Sequence, residues 1–395
     1  MNITDIALKV INTPHYLYEE YILEWQINKI KTFGIKGENI HFSLMANNNV
    51  HLLKILKNKG LGVYTSSLPE LQIALKTGFA NTQIIFCSSN LKSAEIEKVI
   101  EINPIIIADS YNQLIKYLQN NKLQQIGIRI SFDSEFYKTY GALDIQRQGL
   151  SEEQLPSAID LCWSKKVKVV GIHSYLGTNI SDIEFYKAGI SRLLKCTSSI
   201  DGIDFIDLSG GFGLDYSKEN SNFDISEIVR FFEDECTKYP QLLSSLELKV
   251  EPGRFIIGPA GKLICSVTEV IEKDDKIFIG VDANLSNFPR PYIYKDYHLI
   301  TVCDREVRHD KILSGVYIAG NTAKSDDFLA QNIEFPDVRE GDRLCIHYAG
   351  AYCYSMSSNF CAQLRPAEYL VTEKDELVKI REEETLDSLL RTQNL

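Results

Sequence analysis

Eight short β-branched runs recur along the first 254 residues, and each is followed by a stretch with helical periodicity. The stretches, such as NVHLLKILKNK and LPELQIALKTG, place apolar side chains at i, i+3, i+4 and i+7. Strands that alternate with helices predict parallel βαβ units. The runs are HFSLMAN (41–47), GVYTSS (62–67), IIFCSS (84–89), IIIADS (105–110), IGIRIS (126–131), VVGIHSY (169–175), FIDLSGG (205–211) and LKVEPGR (248–254).

The number of strands favours a closed (β/α)8 barrel. The runs are almost continuously apolar, which is typical of a sheet that is buried on both faces. An open doubly wound sheet shows the same alternation and is the competing prediction. Polar residues gather at the carboxyl end of each run, and in a barrel these ends form one rim, where active sites are found. The pattern therefore predicts a TIM barrel with a site at this rim.

After about residue 262 the pattern changes to β-rich stretches with polar turns. LICSVTEVIEKDDKIFIGVDA and DRLCIHYAGAY show little helical periodicity. We therefore predict a barrel over residues 25–262 and a C-terminal β-domain over residues 263–395. Residues 1–24, which include LYEEYI, are expected to join the β-domain or to lead into the barrel.

Composition narrows the classes of partner. A formal net charge of −11 disfavours nucleic acid or an anionic membrane. No apolar run approaches the roughly 20 residues that cross a bilayer, and the first residues lack the apolar stretch of a signal peptide. The nine cysteines lack paired short spacings, which argues against a disulfide framework and against a zinc site. These features predict a cytoplasmic protein with small-molecule or protein partners and no metal.

Three turns at the predicted rim have the composition of an anion site. Glycines let backbone N–H groups approach a bound anion, and a hydroxyl or a guanidinium adds donors. Because the strand ends converge in a barrel, the turns together favour a phosphate-bearing cofactor. They are SGGFG (209–213), GT (177–178) and EPGR (251–254).

Through these turns the chain resembles the fold-type III pyridoxal-phosphate decarboxylases, the family of the diaminopimelate, ornithine and arginine decarboxylases. The resemblance implies an alanine-racemase-type barrel with a β-domain, pyridoxal phosphate as cofactor, decarboxylation of an amino acid, and a homodimer with shared active sites. Matching stretches follow in the family's order: TPHYLYEE, MANNNVHLLKIL, GIHSYLGTNI, DLSGGFG, EPGRFIIGPAG, VDANLSNFPRPYIY, SDDFLA, GAYCYSMSSNF and RPAEYLV.

The resemblance also implies roles for individual residues. Glu251 would face the pyridine nitrogen and keep the ring protonated, which makes the ring an electron sink. An ion pair with Arg254 is the alternative role. Arg290 would hold a substrate carboxylate with its planar fork of donors, with Tyr294 as a second substrate residue; a surface salt bridge is the alternative for Arg290. The remaining residues expected at the cofactor are Tyr175, Thr178, Ser209, Gly210, Gly211, Gly253, Arg254 and Tyr352.

Several positions depart from the family's pattern. The lysine of a stretch similar to YAVKAN is Met45 here, and methionine has no amine that could hold the cofactor covalently or move protons. A stretch similar to GPxCES reads GNTAKS, so Ala323 replaces the cysteine and Lys324 its neighbouring acid. Tyr175 stands where the family has a ring-stacking histidine, and Ser209 where it has a glycine. A single departure from the family's pattern could be explained by a substitution made in the laboratory. Several departures together favour natural divergence of the sequence.

Lys324 has three possible interpretations. It could supply an amine in place of the missing lysine, pair with an acidic group of an altered substrate, or be a solvated surface lysine.

Two functions compete. The first is a decarboxylase-family lyase that acts on an amino acid or an amino-acid-derived conjugate, such as those of siderophore or antibiotic assembly, with the cofactor held noncovalently or by a relocated amine. The second is a non-catalytic homologue that acts as a regulator, a ligand-binding subunit or a partner of an active relative, with the cofactor retained or lost. The presence of Glu251, Arg254 and Tyr352 favours a retained cofactor site. A third function, an enzyme without a cofactor, has no residue signature.

Overall fold

The computed structural model describes residues 11–140, 147–198, 200–217, 223–240, 246–296, 298–303 and 311–394. These residues form two compact units. One unit contains the described residues of 27–214 and 223–255, and the other contains residues 11–26, residues 215–217 and the described residues from 256 onward. Part of the predicted N-terminal segment, residues 1–10, lies outside the described residues. The domain boundaries at residues 24 and 262 remain a prediction.

Strands and helices alternate through the first unit, and strands dominate the second. The strands in chain order are β1 (His15–Glu19), β2 (His41–Ser43), β3 (Gly62–Thr65), β4 (Ile84–Phe86), β5 (Ile105–Ala108), β6 (Gln125–Ser131), β7 (Leu150–Ser151), β8 (Lys168–His173), β9 (Phe205–Asp207), β10 (Glu247–Lys249), β11 (Gly261–Lys273), β12 (Lys276–Val281), β13 (Ile300–Val302), β14 (Ile312–Ala319), β15 (Phe328–Pro336), β16 (Arg343–Ile346), β17 (Ala367–Val371) and β18 (Leu377–Arg381).

The α-helices in chain order are α1 (Glu20–Thr32), α2 (Val50–Asn58), α3 (Leu68–Thr77), α4 (Ser93–Ile102), α5 (Tyr111–Leu118), α6 (Ser134–Thr139), α7 (Leu155–Ser164), α8 (Ile183–Thr197), α9 (Ile225–Cys236), α10 (Arg254–Ile257), α11 (Arg290–Tyr294) and α12 (Leu386–Leu390). Across the described ranges, none of the helices is both long and apolar enough to cross a bilayer.

Eight parallel strands form a closed sheet in the first unit. β2, β3, β4, β5, β6, β8, β9 and β10 pair in that order. The His41 backbone N–H donates to the Val250 carbonyl at 2.8 Å, and the Val250 N–H donates to the Asn39 carbonyl at 3.0 Å, so the last strand joins the first. Each of the eight strands lies on one of the predicted runs. The prediction of a (β/α)8 barrel is therefore confirmed, and the open sheet was the wrong alternative.

Local sequence explains why the helices between the strands begin and end where they do. In α2, the Asn49 side chain accepts from the His51 N–H as an N-cap, and the helix buries Leu52, Leu53 and Leu56 on one face. In α3, Ser67 is the N-cap, and the helix ends at Gly78, whose φ of 95° is a left-handed conformation. The apolar stripe packs each helix against the sheet, and the caps fix the lengths of the connections.

The pairing of the strands aligns ionisable residues inside the barrel. Arg129 on β6 pairs with His173 on β8, His173 with Asp207 on β9, and Asp207 with Lys249 on β10. All four side chains are buried. An apolar cluster that includes Tyr64, Ile85, Ile107 and Phe205 fills another part of the same unit. We refer to Arg129, His173, Asp207 and Lys249 as the charged row.

The second unit contains a mixed sheet. Its strands follow the order β15-β14-β12-β11-β1-β17-β18, and β16 pairs with both β11 and β13. β1 lies between β11, to which it is antiparallel, and β17, to which it is parallel. Leu17, Ile264, Cys345 and Val371 form a buried cluster on this sheet. The first described strand of the chain is therefore an interior strand of the sheet that the C-terminal residues complete.

The close approach of β8 to β9 generates a stability prediction. A Cβ atom on Gly171 would lie 2.2 Å from ring carbons of Phe205, and Phe205 is buried. We expect Gly171→Ala to lower the free energy of unfolding by about 1–3 kcal/mol, because the overpacked core must move apart. Urea unfolding followed by circular dichroism measures the change. The double variant Gly171→Ala with Phe205→Val should be more stable than the sum of the two single changes, and strictly additive effects would contradict the prediction.

Candidate active site

The structure places the predicted barrel residues at the carboxyl ends of the strands. Met45 lies in the 3-10 turn Leu44–Ala46, directly after β2, and its side chain is 40% exposed. Tyr175 and Thr178 follow β8, Ser209 to Gly211 follow β9, and Glu251 to Arg254 follow β10. They are drawn together because the closed sheet brings the strand ends into one ring. Whether Met45 occupies the position of the family's lysine stays a prediction.

Glu251 is the centre of this rim. The side chain is 3% exposed. The Ser209 hydroxyl donates to its Oε2 at 2.8 Å, and His173 Nε2 lies 3.4 Å from the same oxygen. Among the described residues, Oε1 of Glu251 has no hydrogen-bond partner. The partners of Glu251 are thus Ser209 and His173 rather than Arg254. Asp207 also lies close to Glu251, and the interaction of the two carboxyl groups lowers the pKa of Glu251.

Burial controls the protonation of the groups around Glu251. It raises the pKa of Glu251 to about 7, against a lowering by the Ser209 hydrogen bond. Burial and the nearby Glu251 carboxyl raise the pKa of Asp207 to about 8. Burial lowers the pKa of His173 to about 4, so its imidazole is neutral at pH 7. The site therefore holds protons on its acids that water would remove at the same pH.

Arg129 adds a buried cation to the site. Its Nη1 donates to Asp109 Oδ1 at 2.9 Å, and its guanidinium lies 5.6 Å from the centre of the Tyr175 ring. Nη2 donates to Gln148 Oε1 at 3.0 Å. The positive charge of Arg129 counteracts the rise in the pKa of Glu251. Tyr175, predicted to stack on a cofactor ring, thus has the guanidinium of Arg129 close to its ring.

Sequence reasoning missed Asp109, Arg129, His173 and Asp207. A simple signal was available, because side chains two residues apart on a strand point to the same face. Asp207 is two residues before Ser209, and His173 is two residues before Tyr175. Applying that spacing from the rim residues inward would have found both.

The glycines of the rim allow close backbone packing. A Cβ on Gly210 would lie 2.3 Å from the Glu251 carbonyl oxygen, and a Cβ on Gly211 would lie 2.1 Å from the Gly177 carbonyl oxygen. Gly211 also has a φ of 81°, which favours glycine. A Cβ on Gly253 would lie 2.8 Å from the Cβ of Ala46. Side chains at these three positions would force the rim turns apart.

The donor set of the rim fits pyridoxal phosphate. Oε1 of Glu251, which has no hydrogen-bond partner among the described residues, matches the N–H of a protonated pyridine ring. Arg254 Nη2 donates to Thr178 Oγ1 at 3.1 Å, so a guanidinium and a hydroxyl lie side by side, as phosphate binding requires. His173, Asp207 and Glu251 also bring one potential ligand atom each within 4.8 Å of one another, which is a possible metal arrangement. Both carboxyls of that trio have raised pKa values, so a metal would first have to displace protons.

In the second unit, the Arg290 guanidinium forms hydrogen bonds with two nearby side chains of the same unit. The side chain is 1% exposed, Nη2 donates to Asp296 Oδ2 at 2.7 Å, and Nε donates to His298 Nε2 at 3.2 Å. Its guanidinium lies 4.5 Å from the centre of the Tyr216 ring and 5.1 Å from that of Tyr294. The alternative expectation for Arg290 was a surface salt bridge. Arg290 does form an ion pair, with Asp296, but the arginine itself is buried rather than at the surface.

The other predicted residues of this unit lie in different surroundings. Tyr294 is 49% exposed, and its hydroxyl approaches Met356 Sδ at 3.8 Å. Ala323 is exposed. Lys324 forms an ion pair with Asp326 and lies 5.1 Å from the centre of the Tyr292 ring, which makes it a paired rather than a freely solvated lysine. Tyr352 is half-buried and has a φ of 60°, a left-handed conformation that is uncommon for tyrosine.

The raised pKa of Asp207 predicts how stability depends on pH. An acid whose folded pKa lies above its unfolded value stabilises the fold below the unfolded pKa, and this stabilisation is lost as pH rises through the folded pKa. We expect Asp207→Asn to gain stability relative to the native chain between pH 5 and pH 8, by about 4 kcal/mol in total. Chemical unfolding at a series of pH values measures it. Asp204→Asn, at a half-exposed carboxylate that directly precedes the same strand, is the matched surface control.

Comparisons with known proteins cover nearly the whole chain. A family model described as "Pyridoxal-dependent decarboxylase, pyridoxal binding domain" matches residues 23–258. The diaminopimelate decarboxylase of Methanothermobacter thermautotrophicus is 31% identical over 97% of this chain and 92% of its own. A decarboxylase of Niallia circulans named for L-glutamyl-BtrI acyl-carrier protein is 29% identical over 98% and 94%.

Solved structures agree in fold and sequence. The diaminopimelate decarboxylase from M. jannaschii, in co-complex with L-lysine, superimposes with a TM-score of 0.91 at 25% identity and covers 99% of this chain and 94% of its own. The enzyme from Helicobacter pylori complexed with L-lysine gives a TM-score of 0.85 at 25% identity over 98% of each chain. This chain therefore belongs to the pyridoxal-dependent decarboxylase family, lyases that act on amino acids with pyridoxal phosphate as cofactor.

Proposed function

We propose that this chain binds pyridoxal phosphate without a covalent lysine at position 45 and decarboxylates an amino acid or an amino-acid-derived conjugate. The observation that carries the proposal is Glu251, a buried carboxyl group with one oxygen held by Ser209 and the other left without a partner among the described residues. A non-catalytic scaffold has no need for such a group, because leaving a buried polar atom unpaired costs about 1–3 kcal/mol.

Each rim residue has a proposed task. Bound pyridoxal phosphate supplies an electron sink for the electron pair left when CO2 departs. Glu251 holds a proton on the ring nitrogen, while Thr178 and Arg254 donate to the phosphate. Gly210, Gly211 and Gly253 let the backbone approach, and Tyr352 is the proposed phosphate residue of the second unit.

Met45 sets the limit on turnover. A thioether can neither attack the cofactor's aldehyde nor accept a proton from the substrate. We propose that the rim residues would hold the cofactor noncovalently, leaving its aldehyde open to the substrate amine, or that another amine replaces the lysine. Lys324 is the candidate amine among the departures from the family, and the ion pair with Asp326 would have to open for it to act. Turnover without a lysine at position 45 is expected to be slower than in lysine-containing relatives.

For the substrate, we propose a molecule with a carboxylate besides the one that is lost. Arg290 is the proposed partner of this second carboxylate, with Tyr294 beside it. In the structure, Nη2 of Arg290 donates to Asp296, which would have to share or give up this contact. A conjugate would agree with the relative from Niallia circulans, whose name gives a carrier-bound L-glutamyl group as substrate. By analogy with the family, we also propose a homodimer with shared active sites.

A spectroscopic prediction tests cofactor binding. We expect the purified protein to bind added pyridoxal phosphate with a change in its absorption, and to release the cofactor on gel filtration after borohydride treatment, because position 45 has no amine. Met45→Lys should make the colour resist gel filtration after the same treatment. Met45→Leu, of similar volume and without an amine, is the matched control.

Two results would contradict this prediction. A native protein that binds no pyridoxal phosphate would favour the non-catalytic homologue. A colour that is fixed by borohydride in the native protein would show that another amine, to be located by peptide mapping, replaces the lysine.

A second prediction concerns the substrate carboxylate. L-Lysine carries one carboxylate and cadaverine carries none, so the two differ in the group that Arg290 would bind. We expect Arg290→Gln to weaken binding of L-lysine to the cofactor-loaded protein by about ten- to a hundredfold and to leave cadaverine unaffected, because a charge-assisted hydrogen bond contributes roughly 1.5–3 kcal/mol. Calorimetry measures both affinities. Asp296→Asn should strengthen L-lysine binding, and equal losses for the two ligands would refute a carboxylate role.

A further inference from the structure

Ser209 has a backbone conformation that serine rarely adopts. Its φ is 58°, in the left-handed region, which costs a non-glycine residue roughly 1–2 kcal/mol. Its N–H donates to Asp207 Oδ1 at 2.7 Å, and its carbonyl accepts from the Glu251 N–H at 2.6 Å. Glycine could make both backbone hydrogen bonds without the strain. The strained serine therefore points to a task for its side chain.

Among the described residues, the Ser209 side chain makes one hydrogen bond, and it is with Glu251. The hydroxyl donates to Oε2 at 2.8 Å, with serine and glutamate 6% and 3% exposed. His173 Nε2 lies 3.4 Å from the same oxygen. Oε2 is thus approached by groups from β8 and from the turn after β9, whereas Oε1 has no partner within the described ranges. The two oxygens of one carboxyl group are in different surroundings.

This asymmetry has a mechanical consequence. The terminal torsion of glutamate is broad and roughly two-fold, so a free carboxylate exchanges its oxygens easily. The hydrogen bond to Oε2 restrains that torsion and so determines where Oε1 lies. A hydrogen bond to the ionised form also favours it, and Ser209 lowers the pKa of Glu251 against the effect of burial.

We propose that Ser209 is a positioning residue, which holds Oε2 of Glu251 so that Oε1 is presented, ionised, to the protonated ring nitrogen of pyridoxal phosphate. The inference rests on the proposed cofactor site and adds to it a residue that stands where the family has glycine. Because position 45 has no amine, noncovalent contacts with the cofactor gain importance, and Ser209 would strengthen one of them.

The test uses pyridoxine 5′-phosphate, which has the ring nitrogen and the phosphate but no aldehyde, so no amine of the protein affects its binding. Ring absorption reports whether the bound nitrogen is protonated. We expect Ser209→Gly to weaken binding about tenfold and to lower the pH at which the bound ring loses its proton by about one unit. The thermal midpoint of Ser209→Gly should stay equal or rise, because glycine relieves the strain.

Asn103→Gly is the matched control. Asn103 is exposed, ends α4 with a φ of 55°, and lies before β5 rather than at the rim. It should leave the affinity and the ring titration unchanged. Ser209→Ala keeps the Cβ atom and the strain, and should show the same loss of affinity as Ser209→Gly, which separates the hydroxyl from the backbone.

Three results would overturn the inference. If Ser209→Gly binds the probe as the native chain does, Ser209 does not position Glu251. If its affinity falls while the ring titration stays unchanged, the hydroxyl acts by packing alone. If the native chain binds no pyridoxine 5′-phosphate, the proposed cofactor site fails as well, and this outcome differs from the first two because it appears before any substitution.

Discussion

Two backbone hydrogen bonds, from His41 to Val250 and from Val250 to Asn39, turn a parallel sheet into a closed ring. Without them, the ends of β2 and β10 would be the opposite edges of an open sheet. With them, the turn that carries Met45 lies against the turn that carries Glu251, and Gly253 is packed so tightly that a Cβ would meet Ala46. The site exists because the first and last strands are neighbours.

Inside that ring, burial is the main cause of the shifted pKa values of the ionisable groups. The charged row places Asp207 between His173 and Lys249 on adjacent strands, and Glu251 lies close to Asp207 and His173. Burial raises the pKa values of both carboxyl groups, and the charge of Glu251 raises that of Asp207 further, whereas a hydrogen bond with Asp207 lowers that of Glu251. Arg129 and Ser209 favour the charged form of Glu251, so a single ionised acid at the rim is the arrangement that these contacts stabilise.

Much of this architecture could be predicted from the sequence, because strand runs and helical periodicity report directly on burial. HFSLMAN and LKVEPGR gave the first and last barrel strands within a few residues, and the polar ends of the runs gave the rim. Pairing between side chains far apart in the sequence could not be predicted in the same way. Nothing local indicates that the buried Arg290 guanidinium lies beside the Tyr216 ring, or that the Ser209 hydroxyl contacts Glu251 rather than solvent.

The position of β1 has a consequence for how the chain is made. Tyr18 on β1 donates to Glu368 on β17, a partner 350 residues further along the chain, and β1 also pairs with β11. At a synthesis rate of about 5–20 residues per second, β1 leaves the ribosome roughly 20–70 s before β17 does. All the barrel strands emerge within that interval. β1 can pair with β11 as soon as residue 264 has been made, but its second neighbour in the sheet is available only after β17 has been translated.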